Sequence, residues 1–157
     1  MRSSTRLFLL WWFIHPLTWA QVPVCAVPYD NGEKPPKASS VLTFQGATRT
    51  REALLRREIQ IMQPRVIPLR IIFLPHWKYL YTAKVFQLHV PTGMSSLMFT
   101  HLSSRSVFID EDRVGSDEAL VYWMAHELGH LATNSVKEED AERAARQFRS
   151  HLTRSSR

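Results

Sequence analysis

An α+β fold, with a small mixed sheet packed on two C-terminal helices, is predicted by three features of the sequence. Apolar residues recur at helical spacing before Met62, a β-branched run ends at Leu74, and two capped helical stretches follow Ser116. The 157 residues leave room for one domain with a modest core. A hydrophobic content of 45% with five glycines argues for an ordered globular protein, while nine prolines and basic termini suggest that some segments are irregular. Cys25 is the only cysteine, so no intrachain disulfide can form and stability must rest on the core or on a metal.

The first twenty residues read as an address. Met1 to Arg6 is short and basic, Leu7 to Ile14 is continuously apolar, and Pro16 precedes Thr18-Trp19-Ala20. This predicts a signal peptide over 1–20, cut before Gln21, and a secreted or periplasmic protein. The competing reading, an uncleaved anchor, is less favoured because the apolar stretch is shorter than the roughly 20 residues a spanning helix needs. No transmembrane span is expected in the mature chain. Lipid attachment at Cys25 is disfavoured by Val24, since that processing prefers a small residue before the cysteine. Residues 21–46 hold Pro23, Pro28, Pro35, Pro36 and Asn31-Gly32, which prevent helix and predict a linker. The domain itself is expected over 47–157.

Thr48 or Thr50 can cap a helix running to about Met62, with Leu55, Ile59 and Met62 on one face and Pro64 closing it. Val66 to Leu74 predicts a strand with Pro68 near its start and Pro75 at its end. Signals from His76 to His101 are mixed, and Lys84 to Val90 fits strand and helix alike. Ser104 to Ile109 predicts a short strand, followed by the acidic turn Asp110-Glu111-Asp112. Ser116 can cap a helix that Asp117 and Glu118 favour electrostatically and that extends to about Thr133. Ser135 with Glu138 forms an S-x-x-E capping box for a last helix reaching about Leu152.

Within the penultimate helix lies His126-Glu127-Leu128-Gly129-His130, an H-E-x-x-H segment. Histidines four apart share one helix face, so both rings can reach a single Zn²⁺ at about 2.0–2.1 Å. Glu127 follows the first ligand directly, placed to take a proton from a zinc-activated water and return it to a leaving amine. Leu120 to Ala125 and Leu128, Leu131 and Ala132 make the helix apolar nearly all round, which predicts burial. Buried His, Glu and His need partners, and a metal with its water would satisfy all three. The alternative is a structural helix whose histidines are satisfied within the core.

A catalytic zinc takes three protein ligands and keeps one open position. Glu138, Glu139, Asp140 and Glu142 crowd the start of the last helix, with Glu138 and Glu142 on one face at i, i+4 spacing. Glu138 can serve as third ligand, or it can cap its own helix; in that case Glu139, Asp140 or His151 would complete the site. Tyr122, His101, Arg105 and His151 are candidate hydrogen-bond donors to a developing oxyanion.

His126-Glu127-Leu128-Gly129-His130 followed by Glu138-Glu139-Asp140-Ala141-Glu142 resembles the gluzincin branch of the zincin metallopeptidases, and among them the compact ImmA/IrrE-like proteins. Their pattern is H-E-x-x-H, then a glutamate, two residues, an alanine and a polar residue. The resemblance spans about Ser104 to Leu152. It implies a zincin-like fold with Glu138 as third zinc ligand and Glu142 as the carboxylate supporting the site. It also implies that Ser106 to Ile109 is the sheet edge beside the cleft, where a peptide adds as a strand.

A formal charge of +6 falls to +4 once Arg2 and Arg6 are removed. That mild basicity admits an anionic envelope surface as partner, and the arginines from Arg143 to Arg157 lie mostly on a helix end whose dipole they suit. No aromatic interleaving accompanies them, so nucleic acid is not a predicted partner. The expected function is zinc-dependent hydrolysis of peptide bonds in a peptide or protein substrate, with Glu127 as general base. Two readings compete with it: an exported binding or envelope-associated protein with a structural zinc or none, and a zinc hydrolase acting on a non-peptide amide such as a cell-wall linkage.

Overall fold

The computed structural model describes residues 26–27, 42–68, 70–88 and 97–155. Residues 1–20, on which the signal-peptide reading rests, lie outside the described residues, as does most of the stretch read as linker. The described chain is a mixed α+β fold with four helices and a small mixed sheet. In chain order the elements are β1 (Ala26–Val27), β2 (Thr43–Gln45), α1 (Arg49–Met62), β3 (Arg70–Leu74) and α2 (His76–Val85). They continue with β4 (Met98–His101), β5 (Ser106–Asp110), α3 (Asp117–Thr133) and α4 (Glu138–Ser155).

The sheet order is β1-β4-β5-β3-β2. β2, β3 and β5 run parallel, with Phe44 beside Ile71 and Ile71 beside Val107. β4 runs antiparallel to β5, with Thr100 opposite Val107, and β1 lies parallel beyond β4. This order corrects the sheet-edge expectation. Ser106–Asp110 is fully buried between β4 and β3, and the strand beside the H-E-x-x-H helix is β4. A continuous run of buried Val, Phe and Ile is what an interior strand covered on both faces requires.

Alternate side chains divide the core. Ile71, Phe73, Met98, Val107 and Ile109 meet α1, α3 and α4 through Leu55, Met62, Leu120, Met124, Leu128 and Phe148. Ile72, Leu74, Phe99 and Phe108 point to the other face, where Tyr79 and Ala83 of α2 cover them. That two-residue alternation on strands with helices on both faces gives three layers. Burying each of these large apolar side chains is worth about 1.5–3 kcal/mol.

Local signals explain most boundaries. Thr48 Oγ1 accepts from the Arg51 N–H at 3.2 Å to start α1, and Gln63 closes it in the left-handed region. Ser116 Oγ accepts from the Ala119 N–H at 3.1 Å to start α3, and Asn134 closes that helix in the same conformation. Other boundaries differ from expectation, among them the strand read from Ser104, which begins at Ser106 and takes in Asp110 from the expected acidic turn. The strand predicted from Val66 begins at Arg70. The last helix begins at Glu138, because Ser135 Oγ accepts from the Lys137 N–H and meets Asp140 while the Lys137 carbonyl receives the first helical bonds. The stretch read as linker contributes β1 and β2 to the sheet. α2 follows Pro75 directly and β4 precedes a tight turn, in the region whose sequence signals conflicted.

Candidate metal centre

α3 and α4 form a helix pair that packs tightly at Gly129. A Cβ placed there would stand 2.2 Å from the Ala141 carbonyl oxygen, so only glycine admits this crossing. Ala141 and Ala145 of α4 are fully buried, small side chains that suit such a close crossing. The crossing brings the first turn of α4 against the last half of α3. Glu138 therefore faces the two histidines instead of capping its own helix.

The Glu138 carboxylate reaches both rings, with Oε2 2.9 Å from His126 Nε2 and Oε1 3.6 Å from His130 Nε2. These three residues could hold a metal ion, since their ligand atoms all lie within 4.8 Å of one another. The chemistry of the ring nitrogens fits that role. His130 Nδ1 is 2.8 Å from the Ser135 carbonyl, which can only accept; the proton must therefore sit on Nδ1, leaving a lone pair on Nε2. That Nε2 is buried and makes no hydrogen bond, with Glu138 Oε1 standing 3.6 Å away, a gap that an ion coordinated by both would fill. His126 Nδ1 lies 3.3 Å from Glu142 Oε2, so both rings have an outer partner on Nδ1 and turn Nε2 inward, where His126 Nε2 donates to Glu138 and would give up that proton to a metal. Glu142 is in turn paired with Arg149, whose guanidinium stacks 4.2 Å above the Tyr122 ring.

Glu127 lies beside this cluster, 1% exposed. Its Oε2 accepts from the Thr100 hydroxyl at 2.7 Å, an interaction made across the gap between β4 and α3. Burial raises the Glu127 pKa; His130, the Thr100 hydroxyl and His126 oppose that rise, and Glu138 adds to it. At His130 burial opposes the charged ring, but Glu138, Glu127 and the Ser135 carbonyl outweigh it, and its pKa lies above the ordinary value.

The other candidates are occupied elsewhere. His151 Nδ1 meets the Met62 carbonyl at 3.0 Å, and Asp140 bonds Ser135 and Arg143. Glu139 is exposed and stands outside the cluster. Among the proposed oxyanion donors, Arg105 donates to the Ile67 carbonyl and His101 stacks on Phe86 on the α2 side of the sheet. Tyr122 stays on the His126 face of α3, half exposed, and Trp123 stands edge-on to His126 at 6.0 Å between centroids. Sequence reasoning missed Thr100 and Arg149. Arg149 lies two turns after Glu142 on the same face, a signal that was present; Thr100 had none, because its strand was not recognised.

No family model matches the chain, and no curated protein or solved structure matches it either.

Proposed function

We propose that the protein is a zinc-dependent peptidase of the zincin type. The observation that carries this reading is the convergence of His126 Nε2, His130 Nε2 and the Glu138 carboxylate beside a buried, hydrogen-bonded Glu127. His126, His130 and Glu138 would hold the ion, with Glu142 and the Ser135 carbonyl fixing the tautomers of the two rings. A zinc ion there would supply Lewis acidity, polarising a carbonyl and lowering the pKa of water.

The remaining chemistry belongs to the chain. Glu127, held by the Thr100 hydroxyl, takes the proton from a water attacking the scissile carbonyl and delivers it to the departing amine nitrogen as the C–N bond breaks. Burial pushes the Glu127 carboxyl above its ordinary value, the direction that suits a group which must both accept and return a proton. Tyr122 and Trp123 form an exposed aromatic wall beside His126 that suits an apolar substrate side chain. Among the described residues the cluster brings together three protein donors, the number that a catalytic zinc takes.

The test is zinc stoichiometry by elemental analysis on the chain from Gln21 onward, beside His126→Ala and Glu138→Ala, followed by a peptide-library screen. One zinc per chain, lost in both variants, with cleavage of library peptides, is the expected result. No zinc under metal-replete conditions would overturn the reading. Zinc without cleavage of any peptide would return the choice to a structural site or a non-peptide amide.

A further inference from the structure

α2 has two apolar faces, and the core uses only one. Tyr79 and Ala83 are fully buried against Phe99 and Phe108. On the opposite side Trp77 is 70% exposed, Tyr81 66% and Val85 59%, with Leu80 at 38%. Seven large apolar side chains are exposed among the described residues, and this ten-residue helix carries four of them. Scattered exposure would need no explanation; a stripe at i, i+4 and i+8 does.

Charge says what covers it. At about 100° per residue, Lys84 and Lys78 fall some 20° outside the two edges of the Trp77-Tyr81-Val85 stripe, one on each side. The helix has no acidic residue. The acidic neighbours at its start are already engaged: Asp110 Oδ2 lies 2.6 Å from His76 Nδ1, and Asp112 Oδ2 accepts from the His76 N–H at 2.8 Å. Those two bonds tie the start of the helix to the end of β5 and the turn after it. Aromatic rings with polar edges, flanked by long cationic stems, suit the boundary between lipid headgroups and acyl chains.

We propose that α2 is a membrane-surface docking face: Trp77, Tyr81 and Val85 enter the interface of an anionic bilayer while Lys78 and Lys84 reach its headgroups. Docking is peripheral, and among the described residues no helix is long and apolar enough to cross a membrane. It is independent of the metal centre, which lies on the opposite face of the sheet.

The test uses the chain from Gln21 onward, which keeps every described element. It contains only Trp77 and Trp123, so Trp123→Phe makes Trp77 the sole reporter. Vesicles are phosphatidylcholine alone or phosphatidylcholine with phosphatidylglycerol. Flotation with the anionic vesicles only is expected, together with a blue shift of Trp77 emission and quenching by lipids brominated in the acyl chains. The Lys78→Gln/Lys84→Gln pair lowers partitioning about thirtyfold at low salt, and Trp77→Ser/Tyr81→Ser abolishes flotation. All four positions are exposed, so melting temperatures serve as the folding control. No flotation with anionic vesicles would overturn the proposal. Flotation unchanged in both double variants would also overturn it, moving contact to another basic surface such as the arginines of α4. So would self-association that Trp77→Ser/Tyr81→Ser abolishes without any vesicle binding, since the face would then join two copies of the chain.

Discussion

Glu127 and Thr100 are the residues on which the proposed chemistry turns. Glu127→Gln keeps the shape of the site and the three metal donors but removes the proton acceptor. It is expected to retain one zinc and to lose about 10²–10⁴-fold in kcat, measured on any peptide the wild type cleaves. Thr100→Val removes the hydrogen bond that holds the Glu127 pKa down. The pKa should rise further, so the acidic limb of the rate profile moves to higher pH; an unmoved limb would show that the hydroxyl does not tune this carboxyl. For His130, metal and proton compete for the same Nε2. Because its metal-free pKa is raised, protonated His130 persists to higher pH than an ordinary imidazole. Zinc affinity should therefore weaken as pH falls through that raised value, beginning above the usual histidine range. Calorimetric titrations at stepped pH check this.

At the scale of elements, the crossing of α3 and α4 decides whether the three donors meet. Gly129→Ala places a methyl group into the Ala141 carbonyl, and the backbone of α4 must move to relieve it. The expected cost is about 1–3 kcal/mol in chemical denaturation, with zinc affinity reduced as Glu138 shifts. A variant with unchanged affinity would mean that Glu138 does not hold the metal. α1 and α3 were legible because each announces itself twice, by apolar spacing and by a capping side chain at Thr48 or Ser116. α2 was not, because its apolar residues lie on two faces and give no helical period. β4 was lost for a related reason: Met98, Phe99 and Thr100 are all buried, so the two-residue alternation that marks a half-exposed strand is missing.

For the whole molecule, the metal and the fold are predicted to be linked. Binding to the folded state alone stabilises it by about 2.7 kcal/mol at a free ion concentration one hundred times Kd. Chelation should therefore lower the melting temperature by several degrees in a domain of this size. Scanning calorimetry with confirmed metal loss checks it, and an unchanged midpoint would separate site from stability. By itself the sequence determined the H-E-x-x-H helix, its Ser116 cap and the acidic start of the next helix, because spacing along one helix fixes which side chains share a face. Only the tertiary structure decided that Glu138 turns to the histidines rather than to its own backbone. The reason is the contact at Gly129, which lets α4 approach closely enough for the carboxylate to reach both Nε2 atoms. Strand order was likewise a tertiary outcome. Ser106–Asp110 is central and Met98–His101 lies beside the site because pairing partners distant in sequence, and burial on both faces, set the order in which strands assemble.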